Sequence, residues 1–371
     1  MGGSEVAPPG TPEMPAPPVR PPSARALGWG IQIFIALSIA AILVSGHWKA
    51  PLDFDALRSH FDWRFALLLV PLVALDYVLG GLRYRILFNG RLLTRVSLWD
   101  CMRSNWGNIF MGAATPFQTG GGPAQIYLLW RAGARVSEGL LASLVNFAGT
   151  LVFFVAASLV ALLLIPAELF GPMVMGLIRT AFLVVGLVAA AVLTVMILPG
   201  HSLRLLIRVN DALFLRLPFL RRSRERLLAR FSTGVERFSS GAATIWKRGR
   251  WELALVVLLT LVLFSNKFTI GYAIVRALGH DVPYDIFLGL SCVQLFLIYF
   301  APTPGAAGVA ELSSVWLMER IIPRELLLLY TVLWRFLTTV LGAVIGGFVL
   351  LADMRRQGRA PASPRTHRVF R

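Results

Sequence analysis

Carboxylates are scarce in this sequence. It holds 19 Asp and Glu among 371 residues, and charged residues of both signs make up only 15%. So little polar surface cannot cover a water-soluble globule of this size, because 56% of the residues are hydrophobic and the mean hydropathy is +0.69. Cysteine is nearly missing too: Cys101 and Cys292 provide neither a disulfide framework nor a metal-ligand spacing, so no metal or cofactor is expected. No phosphate-binding loop ending in Gly-Lys-Ser or Gly-Lys-Thr occurs, which leaves an ion gradient or the lipid gradient itself as the drive for any transport. What is plentiful is positive charge, 36 Lys and Arg for a net +17. These residues lie scattered between apolar runs rather than on one basic face, so membrane topology explains them and nucleic acid is not the expected partner.

A transmembrane helix needs about 20 apolar residues, and six segments meet this: 28–48, 65–88, 138–165, 173–199, 251–276 and 325–351. The first lies too far from the N-terminus for a secretory signal and reads as a retained helix. Residues 1–27, rich in Pro, Ala and Ser, read as a disordered tail. Two further apolar segments, 101–131 and 285–320, are interrupted by "TPFQTGGGP" and "APTPGAAG". Lipid offers no partner to backbone that leaves the helix, so such breaks must be buried in protein or line a wet cavity.

If both interrupted segments are re-entrant hairpins, each returning to its own side, 26 Lys and Arg fall in 1–27, 83–95, 131–135, 200–250 and 352–371, against 5 in the stretches on the other side. That asymmetry places both termini in the cytoplasm, with the protein in the cell inner (plasma) membrane. Two kinked spanning helices in place of the hairpins would export the basic 200–250 segment. The expected architecture is therefore an all-α polytopic membrane protein of six spanning helices and two re-entrant hairpins. Residues 28–351 form its transmembrane domain and 352–371 a basic tail. Within it, 65–165 and 251–351 form an inverted repeat. Thr115-Pro116 echoes Thr303-Pro304, Ala124-Gln125 echoes Ala310-Glu311, and Trp130 echoes Trp316. The second half-helices that begin near 122 and 308 would offer N-terminal N–H groups and dipoles to an anion such as phosphate.

On "TPFQTGGGPAQIYLL", "PTPGAAGVAELSSVWL" and "LLYTVLWRFLTTVLGAVIGG" the chain resembles the lysylphosphatidylglycerol synthase transmembrane family, also called flippase-like or UPF0104. Pro302, Pro304, Gly305, Gly308 and Glu311 fit the family's second motif, with Ala306 in place of a glycine. Gln125 stands nearest to the acidic position of the first motif. The resemblance implies movement of a polar lipid, an anionic phospholipid, between leaflets. The basic 200–250 stretch is far too short for an aminoacyl-transferase fold, so synthesis of lysyl-lipid is not expected, and the chain is not expected to be an enzyme. Alternatives are a membrane transferase acting on a lipid-linked sugar, which needs a carboxylate cluster, and a small-solute transporter.

The candidate substrate-binding residues are Arg335, Glu311, Thr303, Gly305, Gly308, Thr115, Gly121, Gly122 and Gln125. Arg335 lies too deep to snorkel and its guanidinium matches phosphate bidentately, but an ion pair with Glu311 fits the same residues. Glu311, Asp76 and Lys267 are the candidates for ion coupling. Asn105, Asn108, Asn146 and Asn266 suit hydroxyl groups or helix-to-helix bonds equally. Arg103, Arg179 and Arg276 sit near helix ends and snorkel. The run "LRRSRERLLAR" at 220–230 is expected to lie on anionic lipid.

Overall fold

The computed structural model describes residues 24–47, 61–164 and 240–357, with isolated positions between 176 and 194. The expected span 173–199, most of the 200–250 segment including the basic run at 220–230, and the outer parts of both tails lie outside the described residues. All regular structure among the described residues is helical. The elements are α1 (Ala24–His47), α2 (Trp63–Leu87), α3 (Leu98–Ala114), α4 (Gly121–Arg131), α5 (Val136–Leu164), α6 (Arg250–Ala277), α7 (Tyr284–Tyr299), α8 (Val309–Met318), α9 (Arg324–Arg335) and α10 (Leu341–Gln357). Helix α1 starts at Ala24, inside the stretch assigned to the tail, and α10 likewise runs on past 351.

Among the described residues, four helices are long and apolar enough to cross a membrane: Trp63–Leu87, Val136–Ala157, Arg250–Ala277 and the continuous Arg324–Arg355. The 25 residues of α2 reach about 37 Å, enough for roughly 30 Å of hydrocarbon. Local sequence starts these helices where they start. Asp62 Oδ1 accepts the Arg64 N–H at 2.9 Å ahead of α2, and Ser97 Oγ accepts the Asp100 N–H at 3.1 Å ahead of α3, each satisfying a donor the first turn leaves orphaned. Large apolar side chains face outward along the helices, among them Leu67, Val70, Leu258 and Phe348, the reverse of a soluble protein. Trp63 and Tyr284 stand exposed at one end of the bundle, and Trp99, Trp246 and Trp251 at the other, as aromatic belts do at the two interfaces.

Helices α2 and α6 run antiparallel side by side. The Asp62 N–H donates to the Ala277 carbonyl at one end, and Arg91 pairs with Glu252 at the other. Both interrupted segments fold back on themselves. Arg103, early in α3, and Arg131, the last residue of α4, both pair with Asp353 near the end of α10. His280, before α7, meets the Ile321 carbonyl beyond α8 at 3.0 Å. The packing is reciprocal between halves: α5 packs on α7, α10 packs on α3, and the two breaks touch each other.

The breaks share one backbone. Thr115 and Thr303 are extended, Pro116 and Pro304 open a single 3₁₀ turn, and the next two residues have positive φ: Phe117 at 51° and Gln118 at 56°, Gly305 at 56° and Ala306 at 58°. This repeat is invisible to composition, since a phenylalanine in one half takes the place of a glycine in the other. The glycines have two separate parts. Gly121 begins α4 with no positive φ, and its role is close approach: a Cβ there would strike the Asn108 side chain of α3, whereas one on Gly122 would meet nothing. Gly305 and Gly308 do need positive φ, at 56° and 84°.

Candidate functional site

Where the breaks meet, helices α2, α3, α6, α7 and α9 leave a cavity of about 240 Å³. Its largely apolar walls carry several polar and charged side chains, costly groups inside a membrane bundle, so each one asks for an explanation.

On one wall, Lys267 Nζ donates to Asp76 Oδ2 at 2.7 Å, tying α6 to α2. Asp76 is 5% exposed and its Oδ1 has no partner. Asn266, one residue from Lys267, donates to the Leu72 carbonyl at 2.9 Å, and so serves the α2–α6 contact rather than the cavity. On the opposite wall stands Arg335. Its Nε donates to Glu311 Oε1 at 2.8 Å, its Nη2 to the Gly305 carbonyl at 3.0 Å, and its Nη1 to Thr339 Oγ1 at 3.3 Å. Its guanidinium also lies over the Phe34 ring of α1, 5.7 Å from the centroid. Glu311 Oε2 accepts the Gly308 N–H at 2.7 Å. The anion at the N-terminus of α8 is thus the protein's own carboxylate, and the fork of Arg335 is engaged by protein groups.

Helix α9 passes into α10 through one π turn, Phe336–Val340, directly after Arg335. The extra residue turns Thr338 and Thr339 to the cavity. Tyr77 of α2 donates to the Leu337 carbonyl at 3.1 Å, serving a backbone group within the irregular turn.

Among the other sequence candidates, Gly305 lines the cavity, while Thr115, Thr303, Gly308, Gly121, Gly122, Gln125 and Glu311 do not. They build the breaks instead. Thr115 Oγ1 donates to the Met111 carbonyl and accepts the Gly120 N–H, and Thr303 Oγ1 donates to the Ala307 carbonyl. Gln125 Oε1 accepts from Tyr84 at 2.9 Å and Asn108 at 2.6 Å, locking α4 to α2 and α3. Asn146 donates to the Ala142 carbonyl within α5. Asn105 and Asn108 line the cavity.

Arg83, one of the basic residues of the 83–95 stretch expected in the cytoplasm, is instead a wall residue: it lies inside α2, 9% exposed and facing the cavity. Its Nη1 donates to Thr260 Oγ1 of α6 at 3.0 Å, its Nε has no partner, and it joins no ion pair among the described residues. The available signal was its spacing of seven from Asp76, two helical turns, which puts both residues on one face.

A family model described as the lysylphosphatidylglycerol synthase TM region matches residues 31–346. The chain belongs to this family. It is also similar to a UPF0104 membrane protein of Archaeoglobus fulgidus, 23% identical over 310 residues that cover 83% of this chain and 92% of the relative. The match spans both breaks, both halves of the cavity and the first helix that covers Arg335. With four helices among the described residues long and apolar enough to span, this family member is a multi-pass membrane protein.

Proposed function

We propose that this protein moves an anionic phospholipid between the leaflets of the cell's inner (plasma) membrane. The observation that carries the reading is the cavity: an apolar-walled space set with charged groups, where the wall cations Arg83, Lys267 and Arg335 outnumber the wall acid Asp76 and the Glu311 carboxylate behind Arg335 by one. A headgroup fits in 240 Å³ while acyl chains stay in the lipid outside. Arg335 and Gly305 form one wall for the headgroup. Asp76 and Lys267, on the other, are the candidates for ion coupling, with Glu311 behind Arg335. The family name of lysylphosphatidylglycerol synthase supports a phospholipid as substrate.

The test is reconstitution into vesicles containing phosphatidylglycerol with a dye on one acyl chain and a membrane-impermeant quencher outside. Vesicles with the protein should lose inner-leaflet dye as well. Quenching that stops at the outer leaflet, as in protein-free vesicles, removes the proposal. The same assay without dye transfer, but with turnover of a lipid-linked sugar, would favour a transferase.

In this reading both interrupted segments are re-entrant and the two halves form an inverted repeat, with six spans in all and cytoplasmic termini. The fold-back of each segment and the reciprocal packing support it. Cysteines replacing the exposed Arg91 and Arg135 should react only from the cytoplasmic side, and those replacing Asp281 and Arg320 only from the other. Native Cys101 and Cys292 are buried and stay silent. Reaction of Arg91→Cys and Arg135→Cys from opposite sides would defeat re-entry of the first hairpin.

A further inference from the structure

We infer that Arg83 and Gln294 are the residues that hold the phosphate group of the substrate, with Asp76 beside them to accept a hydrogen bond from a hydroxyl or amine on the same headgroup. The inference rests on the lipid-transport reading and gives it an address that differs from Arg335.

Three polar side chains in the cavity wall have an atom without a partner: Arg83 Nε, Gln294 Nε2 and Asp76 Oδ1. All three are at least nine-tenths buried, at 9%, 2% and 5% exposed. A buried donor left without a partner is costly, and more so when it is charged, so native proteins satisfy nearly all of them. Two orphan donors and one orphan acceptor around a single cavity describe a complementary ligand: an oxyanion for the donors and a donor group for the carboxylate. The charges agree. Lys267 is neutralised by Asp76 and Arg335 by Glu311, so among the described residues of the cavity wall Arg83 is the cation left over. Thr260 Oγ1 holds one Nη of Arg83 and fixes the plane of the guanidinium. That pre-orders the fork for an oxyanion.

Phosphate esters with a hydroxyl or ammonium tail match this pattern. A lipid headgroup and free inorganic phosphate share the oxyanion, and the measurement separates them. In detergent, binding of short-chain phosphatidylglycerol and of inorganic phosphate is followed by the fluorescence of tryptophan, since Trp334 lines the cavity. The expectation is that Arg83→Gln weakens phosphatidylglycerol binding about ten- to a hundredfold, the loss of a charge-assisted hydrogen bond, and that Gln294→Leu weakens it less. Asp76→Asn releases Lys267 as a second cation and should tighten inorganic phosphate binding, whereas phosphatidylglycerol should gain less, because its hydroxyl loses a charged acceptor. An equal change for both ligands in Asp76→Asn would restrict the site to free phosphate and overturn the headgroup assignment. Should Arg83→Gln not fold, Arg83→Lys keeps the charge but removes the Nε donor and should still lose several-fold. Unchanged affinity in a folded Arg83 variant overturns the inference. Failure of lipid transport in the wild-type protein, with Arg83-dependent binding intact, would instead remove transport and leave the site.

Discussion

Glu311→Gln should destabilise the protein by about 3–5 kcal/mol, because it strands a guanidinium that is 5% exposed without its anion. Arg335→Gln should cost somewhat less, because Glu311 Oε2 keeps the Gly308 N–H. The double variant Glu311→Gln with Arg335→Gln should be more stable than Glu311→Gln alone, since neither charge is then left unpaired. Thermal melting of the three variants in detergent gives the comparison directly. A double variant as damaged as the two singles added together would mean that the 2.8 Å contact contributes no coupling. The same proteins separate structure from transport. A folded double variant that moves lipid at the parental rate assigns Arg335 wholly to the second break. One that folds but is inactive assigns it to the substrate path as well. Arg335→Lys should fold better than Arg335→Gln yet lose the bonds to Gly305 and Thr339, because an ammonium cannot reproduce the fork.

Hydropathy and charge carry the bundle plainly in this sequence. Runs of apolar residues mark α2, α5, α6 and the α9–α10 helix, and Thr-Pro marks each break. The pairing of Arg335 with Glu311 was also within reach, as two charges too deep to be solvated alone. Local pattern could not supply the register between distant helices. Asp76 meets Lys267 across 191 positions of sequence, and Arg83 meets Thr260 across 177. Arg83 was lost for a specific reason: it falls five residues from the end of α2, where arginine ordinarily snorkels to the interface. Here α6 covers it. The broken backbone was legible only in part, since Phe117 and Gln118 take positive φ in residues that seldom adopt it. Contact between the two breaks, which the motif spacing does not encode, holds them there.

Gly346→Leu should cost more than a buried-methylene change ordinarily does and abolish a cooperative melt. Gly342 and Gly346 sit one turn apart on α10, a small-xxx-small pair that lets two helix backbones approach. The partner is α3. A Cβ on Gly346 would fall on the Trp106 carbonyl oxygen, and one on Gly342 would come within 3.1 Å of the Ile109 side chain of α3 and within 2.9 Å of the Tyr77 ring of α2. A flexible side chain could yield, but the Trp106 carbonyl belongs to helix backbone, so α3 and α10 must separate. Overpacking of cores costs about 1–3 kcal/mol where neighbours can shift, and this contact leaves them little room to do so. Separation would also pull Asp353 from Arg103 and Arg131, opening the end of the first hairpin, and would disturb the π turn that presents Thr338 and Thr339. Gly346→Ala should already lower the melting temperature. Gly122→Ala, which meets nothing within 4 Å, should leave it unchanged. If Gly346→Leu melts with the parental protein, the α3–α10 contact is not what joins the two halves. If Gly122→Ala is the more damaging change, the triple glycine has a part in the first break that close helix approach does not explain.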